Sequence, residues 1–391
     1  MATHQLKIRS YNVKFGDAIL VSIPDKAPNG RVTTRHILID VGNVLSGEGG
    51  DDSVFVPILE DVLDVTDGKP VDLYVMTHEH MDHAQGLLAG HRAGVDIKAD
   101  HVWVTASAAP DYYDTHPEAK KHFQMALRAY RSLERQLAAA PPEVNDRLYA
   151  RMLNNNFRKT ADCVAHITTK VCEPDHVHFV HREFDLTHAH PFNEASFEIW
   201  APEEDTSIYY GRFQPLAFGF DDTGSNASSA AGSSRARPAP PAGVDVGAFN
   251  NLLDRREAGA YDNLLAIDKA RNNTSVVFSI EWRGWRLLFA GDAEIRSWKT
   301  MNKFGVLKPV HFLKVSHHGS HNGTPSGDIL DALLPVNAPD TDVRTALIST
   351  CSDVYSGVPH EPTTSELAER CDILDTRQLE DGQAWELILD G

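Results

Sequence analysis

Cysteine and long apolar runs are both scarce in this sequence. The four cysteines are widely spaced and form no CxxC pair, so we expect reduced, mostly structural thiols at Cys163, Cys172, Cys351 and Cys371. No segment approaches the roughly 18 consecutive apolar residues that span a bilayer, and the first residues lack the charged and apolar regions of a signal peptide. We therefore expect a cytoplasmic protein that makes no use of a membrane.

Positive charge is also scarce, and much of it lies in one segment. The 391 residues include 37 Lys and Arg against 55 Asp and Glu, a formal net charge of −18. Such acidity argues against a protein that coats nucleic acid or membrane by bulk charge alone. Residues 118–159, however, hold nine lysines and arginines against four acids. Two interpretations stay open: an ordinary solvated helix face, or a surface for nucleic acid or nucleotide with stacking faces from Tyr112, Tyr113 and Tyr130.

The apolar pattern predicts a layered α/β protein. Apolar runs predict strands at 36–42 and 71–76, and helical spacing over 54–63 predicts a helix between them. This strand–helix–strand order is typical of α/β layers. Further strands are expected at 6–9, 18–23, 176–180, 197–200, 274–280, 286–290, 310–315, 345–349 and 385–389.

Two segments interrupt the strand pattern, and we interpret them as additions to one domain that covers residues 1–391. Residues 109–166 carry apolar side chains at intervals of three and four, which predicts a helical insertion. Residues 221–247 are rich in Ser, Ala, Gly and Pro, which predicts a low-complexity mobile loop. We expect both segments to flank the mouth of the functional site, where they set substrate choice or bind partner proteins.

An H-x-H-x-D-H pattern follows the strand predicted at 71–76. Its members are His78, His80, Asp82 and His83. Imidazole and carboxylate groups are ligands for zinc, manganese or iron(II). His78 and His80 point the same way on an extended segment and can bind one metal ion. Asp82 and His83 lie on the following turn and can reach a second ion nearby.

Three later turns carry further candidate ligands. Asp292 follows the strand predicted at 286–290, where a carboxylate could bridge two metal ions. His317 and His318 form a second histidine-rich turn after the strand predicted at 310–315. His360 stands alone on a proline-flanked turn, where a surface histidine and a ligand are equally compatible with the sequence.

Taken together, these motifs resemble the metallo-β-lactamase superfamily, and in particular the hydrolase domain at the C-terminal end of the competence protein ComEC. The resemblance implies an αββα sandwich, in which two mixed sheets are flanked by helices, with the helical insertion added. The matching landmarks run from residue 12 to residue 360 and lie at 12–20, 38–42, 78–83, 273–277, 288–292, 317–320 and 359–360.

The resemblance also implies a site for two divalent metal ions, Zn²⁺ or Mn²⁺, with Fe²⁺ as a further candidate. His78 and His80 would bind the first ion, Asp82 and His83 the second, and Asp292 would bridge them. The superfamily's third-motif histidine has no clear counterpart, although His188 and His190 lie in the corresponding interval. Our hypothesis is that the turn at His317 and His318 supplies the missing ligand, with either histidine binding, and that His360 completes the second site.

The chemistry implied is hydrolysis by a metal-bound hydroxide, most directly of a phosphodiester in a nucleic acid or nucleotide. Asp82 would orient the nucleophile or take its proton, and His318 or His360 would protonate the leaving group. Two alternatives stay open: a hydrolase of a small carbonyl substrate (lactone, thioester or lactam), and a metal-binding effector or regulatory protein of a multi-protein system. Lys314 is either a contact to an anionic substrate or an edge residue. We also expect that a short turn in place of the insertion changes specificity and leaves the metal content intact.

Overall fold

The structure is a computed structural model that describes residues 4–44, 52–138, 154–211, 262–336, 343–352, 355 and 357–391. Its strands form one sheet of seven and one of six. The strands are β1 Gln5–Tyr11, β2 Ala18–Lys26, β3 Val32–Val41, β4 Val71–Met76, β5 Ala99–Thr105, β6 Val177–Val180, β7 Ser196–Ala201, β8 Val277–Trp282, β9 Trp285–Phe289, β10 Phe312–Lys314, β11 Thr345–Ile348, β12 Asp372–Asp375 and β13 Ala384–Asp390.

Both sheets are mixed. The first has the order β13-β1-β2-β3-β4-β5-β6, with antiparallel pairs from β13 to β3 and parallel pairs from β3 to β6. The second has the order β12-β11-β10-β9-β8-β7, with parallel pairs from β12 to β9 and antiparallel pairs from β9 to β7. The loops that follow β4, β9 and β10 can therefore meet at one end of the two sheets.

Some helices pack on the outer faces of the two sheets, and others pack against one another. The helices are α1 Phe55–Val65, α2 Met81–Ala84, α3 Gly86–Arg92, α4 Tyr112–Thr115, α5 Pro117–Ala138, α6 Phe157–His166, α7 over residues 262–273, α8 Ile295–Lys303, α9 Asp328–Leu333 and α10 Glu361–Ala368. Within the described ranges, none of these helices combines the length and apolar character that a bilayer crossing requires.

The alternation of side chains along the strands fixes which faces pack together. On β4, Leu73 and Val75 join Phe278 and Phe289 of the second sheet in a core between the sheets. Tyr74, the neighbour between them, points the opposite way and packs with helix α1. A third core holds the outer face of the second sheet against α8, α9 and α10. The result is an α/β protein with two mixed sheets flanked by helices, as the sequence predicts, and it is compatible with an αββα sandwich.

The structure differs from the sequence-based expectations in a few elements. Strands β5 and β12 were not predicted, because their apolar runs are short, three residues at 102–104 and two at 373–374. The helical insertion is described at 109–138 and 154–166, where α4, α5 and α6 lie. The loop predicted at 221–247 lies outside the described residues.

Candidate metal centre

The H-x-H-x-D-H turn lies directly after β4, where the chain leaves the sheet and enters helix α2. His78, His80, Asp82 and His83 are all at most 2% exposed. Asp292 follows β9 and His318 follows β10, and both are equally buried. Because these strands end at the same edge of the two packed sheets, residues more than 200 positions apart meet in one place.

Four of these side chains form the tightest group. The candidate ligand atoms of Asp82, His83, Asp292 and His318 all lie within 4.8 Å of one another. His83 Nε2 is 3.3 Å from an Asp292 oxygen, and His318 Nε2 is 3.4 Å from an oxygen of each aspartate. One buried atom of each side chain has no hydrogen-bond partner: Asp82 Oδ1, His83 Nε2, Asp292 Oδ1 and His318 Nε2. Buried polar atoms are rarely left without a partner, and a metal ion would satisfy all four.

The outward nitrogens of His83 and His318 determine what the inward nitrogens can do. His83 Nδ1 lies 2.8 Å from a carboxylate oxygen of Asp40, and His318 Nδ1 lies 2.8 Å from the backbone oxygen of Ser349. Both oxygens accept hydrogen bonds, so each Nδ1 carries a proton and donates it. In the neutral rings the Nε2 lone pairs therefore face the two aspartates, which is the orientation a metal ligand needs.

His78 and His80 form a second group with Asp82. The hydroxyl of Thr77 donates to Asp40 at 2.7 Å, so its oxygen accepts from His78 Nδ1, which lies 3.1 Å away. The lone pair of His78 Nε2 then faces His80 Nδ1 at 3.0 Å. Two nitrogens that share a tetrahedral zinc ion stand roughly 3.3 Å apart, so this pair also fits a metal ion.

The charged groups of the larger group shift one another's pKa values. Burial opposes the charged form of His318, but Asp292 and Asp82 outweigh it and raise the pKa of His318 to about 9. Burial likewise opposes charge on His83, and Asp292, Asp82 and Asp40 raise the pKa of His83 well above its usual range. In turn, burial favours the neutral form of Asp292, but His318 and His83 hold the pKa of Asp292 well below its usual range. Two carboxylates at one buried point therefore require positive charge, from protons or from a metal ion.

A buried ion pair lies next to His83. Lys314 Nζ lies 2.6 Å from an oxygen of Asp17, and both side chains are 2% exposed. Asp17 also accepts from the Ser349 hydroxyl and lies 3.6 Å from His83 Nδ1. Lys314 is thus neither an edge residue nor open to substrate, because β10 lies inside the second sheet and Asp17 covers the ammonium group. Asp17 and Asp40 were not predicted as site residues, although both lie in segments that carry the resemblance.

The two adjacent histidines are turned apart by an uncommon backbone. His317 and His318 have φ values of 50° and 55°, in the left-handed region. Of the two histidines, it is His318 that lies in the group with Asp82, His83 and Asp292. His317 is partly exposed, with Nε2 3.3 Å from Asn272 and Nδ1 3.7 Å from Glu294.

The remaining candidate histidines lie outside the groups of closely spaced ligand atoms that the described residues form. His360 precedes α10, where its Nδ1 is 2.9 Å from the Thr363 hydroxyl and its ring packs against His321. His190 packs against Phe197 in the loop between β6 and β7, and His188 is exposed in the same loop.

A cavity of about 210 Å³ opens onto this centre. Asp82, Asp292, His80 and His317 form part of its wall. The other lining residues include polar ones and apolar ones: Asn154, Asp268, Lys269, Asn272, Ser320 and Asn322, with Phe15, Leu265, Tyr355 and Val358. A small molecule or an extended group could therefore reach the two aspartates.

No protein-family model matches the chain, and no curated protein matches its sequence. The chemistry of the site is therefore inferred from its geometry and from the motifs.

Proposed function

We propose that the protein is a metal-dependent hydrolase of the metallo-β-lactamase superfamily, resembling the ComEC hydrolase domain, and that it acts as a phosphodiesterase or nuclease. One observation carries this proposal: four buried ligand atoms, from Asp82, His83, Asp292 and His318, converge without hydrogen-bond partners on one point. Histidine and carboxylate ligands at a cavity wall are typical of catalytic rather than purely structural metal sites.

We propose two divalent ions, Zn²⁺ or Mn²⁺, with Fe²⁺ as a third candidate. Asp82, His83, Asp292 and His318 would hold one ion. His78 and His80 would hold the other, with Asp82 or Asp292 shared between the two. Such ions, when bound, lower the pKa of water and stabilise negative charge on the reacting group.

Other functions fall to the protein's own residues: they fix the histidine tautomers, orient water and transfer protons. Asp40 and Ser349 fix the tautomers of His83 and His318, so that both Nε2 atoms face the centre. Asp82 lines the cavity and is placed to orient an attacking water molecule or take its proton. His317 also lines the cavity and is partly exposed, and we assign to it the protonation of a leaving group.

The polar residues that line the cavity support an anionic substrate. Lys269 is exposed there and makes no ion pair with a described residue, beside the amide groups of Asn272 and Asn322. Farther out, the insertion exposes Arg158 and Lys159. The three tyrosines suggested as stacking faces pack inside the protein instead. Their ring partners are His116 for Tyr112, Phe123 for Tyr113 and Phe157 for Tyr130. Nucleic acid or nucleotide would therefore be held by charge and amide groups.

A hydrolysis panel tests this proposal. The purified protein, loaded with Zn²⁺ or Mn²⁺, is given bis(p-nitrophenyl) phosphate, single- and double-stranded DNA, RNA and a lactone. We expect phosphodiester cleavage that Asp82→Ala abolishes and that Asp67→Asn, at an exposed position, leaves unchanged. Metal binding without any turnover would overturn the enzyme proposal and favour an effector role.

The apolar residues of the cavity lining favour a second candidate. Phe15, Leu265 and Val358 are apolar groups that suit the acyl part of a small carbonyl substrate. Turnover of the lactone without turnover of any phosphodiester would select this alternative.

A further inference from the structure

We propose that Asn155, held in place by Asp268, is a positioning residue for the metal ligand His80, which makes the helical insertion a part of the metal centre. This inference rests on the proposed metal site and adds two residues to it that no sequence motif indicates. Asn155 comes from the insertion and Asp268 from helix α7, and both are buried.

Two consecutive hydrogen bonds connect the side chains of His80, Asn155 and Asp268. His80 Nε2 lies 2.9 Å from Asn155 Oδ1, and Asn155 Nδ2 donates to Asp268 Oδ1 at 2.7 Å. Because the carboxylate can only accept, the amide nitrogen of Asn155 must face Asp268 and its oxygen must face His80. Asn155 Oδ1 is an acceptor, so His80 Nε2 carries the proton.

This chain of hydrogen bonds selects one tautomer of His80. With the proton on Nε2, the lone pair lies on Nδ1, which faces His78 Nε2 at 3.0 Å. If the proton were on Nδ1, the lone pair would lie on Nε2 and face Asn155, so His80 could not bind an ion shared with His78. Asn155 therefore does for His80 what Thr77 does for His78 and Asp40 does for His83.

A second contact ties the insertion to the metal-binding turn. The Asn154 side chain accepts from the backbone N–H of Asp82 at 3.1 Å. Both asparagines directly precede helix α6, whose first turn is capped by the Asn156 side chain. On the other side, Arg271 donates to the backbone oxygen of Glu79 and stacks on Phe157 of α6. The turn from His78 to Asp82 is thus held in place by side chains of the insertion and of α7.

The consequence differs from the expectation that the insertion and the metal content are separable. His78 and His80 belong to a group of three candidate ligands, whereas the other group has four. Because fewer ligands hold the ion at His78 and His80, its binding depends more on the orientation of each ring. We expect replacement of Asn155 alone to weaken selectively the binding of the ion at His78 and His80. Replacement of the whole insertion also removes the contact from Asn154 to Asp82 and should weaken metal binding as well.

Calorimetric titration of the metal-free full chain with Zn²⁺ tests the inference, with Co²⁺ absorption spectra as a second readout. For Asn155→Ala we expect one ion to bind about 10–100-fold more weakly, as is typical for loss of a partner of a metal-ligating histidine, while the other ion is unaffected. Asn155→Asp brings two carboxylates into contact, and we expect it to bind that ion still more weakly than Asn155→Ala does. The double variant Asn155→Asp/Asp268→Asn restores the donor–acceptor order and should recover wild-type affinity and the wild-type Co²⁺ spectrum.

A matched control uses another asparagine bound to a buried aspartate. Asn193 Nδ2 donates to Asp25 at 2.7 Å, in a different part of the molecule, and Asn193→Ala should leave both metal affinities unchanged. Wild-type titration with two ions bound and the same two affinities in Asn155→Ala would overturn this inference alone. Failure of the double variant to recover the affinity would also overturn it. A wild-type chain that binds no metal would overturn the proposed function and this inference together.

Discussion

Replacement of Lys314 by methionine removes the positive partner of Asp17 while keeping a side chain of similar length. The two charged atoms are 2.6 Å apart and almost completely buried. At an effective dielectric constant of about 20, their attraction is roughly 6 kcal/mol. Part of this is offset because methionine has no desolvation cost, and the Ser349 hydroxyl still donates to Asp17. We therefore expect Lys314→Met to lower the free energy of unfolding by about 3–5 kcal/mol.

Urea unfolding in the presence of a chelator measures this loss without a contribution from metal binding. Two controls sharpen the result. Asp17→Asn/Lys314→Met removes the unpaired charge and should recover much of the loss. Lys69→Met removes a lysine that is 74% exposed and pairs with Asp67, and it should change stability by less than about 0.5 kcal/mol. A Lys314→Met protein within about 1 kcal/mol of the wild type would refute the reasoning.

Three further predictions concern the candidate metal centre. Without metal, the pKa of His318 is about 9 in the folded chain against an ordinary 6.5, so its roughly 3 kcal/mol of stabilisation is present below pH 6.5 and lost as the pH rises through 9. The urea midpoint with chelator should fall over this range, and a constant or rising midpoint would contradict the assignment. Asp292→Ala should reduce the metal content after equilibrium dialysis, and an unchanged content would exclude Asp292 as a ligand. Gly42→Ala places a Cβ 2.4 Å from the backbone nitrogen of His83, so we expect it to shift the metal-binding turn and weaken metal binding; Gly211→Ala, with no contact closer than 3.9 Å, is the control, and equal affinities would refute the steric argument.

Local patterns were sufficient to predict most of the regular structure. The strand predicted at 71–76 matches β4 at both ends, because residues 73–76 are continuously apolar and a turn follows them. The predicted helix at 54–63 is α1, whose buried Phe55, Ile58, Leu59 and Val62 repeat at helical spacing. Strand β12 was not predicted, since its four residues begin and end with aspartate. Its partner β11 is separated from it by more than 20 residues, so local sequence does not indicate the pairing.

The candidate ligands show a similar division. The chemistry of the H-x-H-x-D-H turn and of Asp292 is evident from residue type and position after a strand. His317 and His318 could not be told apart from the sequence, because the left-handed backbone that turns them in different directions depends on packing around the turn. The partners Asp17, Asp40 and Asn155 are ordinary polar residues in the sequence and gain a role only through neighbours in the fold.

By itself, the sequence determined the α/β class, most strands and the residue types able to bind a metal ion. These properties depend on periodicity and side-chain chemistry over a few neighbouring residues. Only the tertiary structure decided which histidine joins Asp82 and Asp292, which ring nitrogen faces the centre, and that the insertion contacts His80. Those outcomes depend on hydrogen bonds between residues tens to hundreds of positions apart, which form only when the two sheets and their loops pack together.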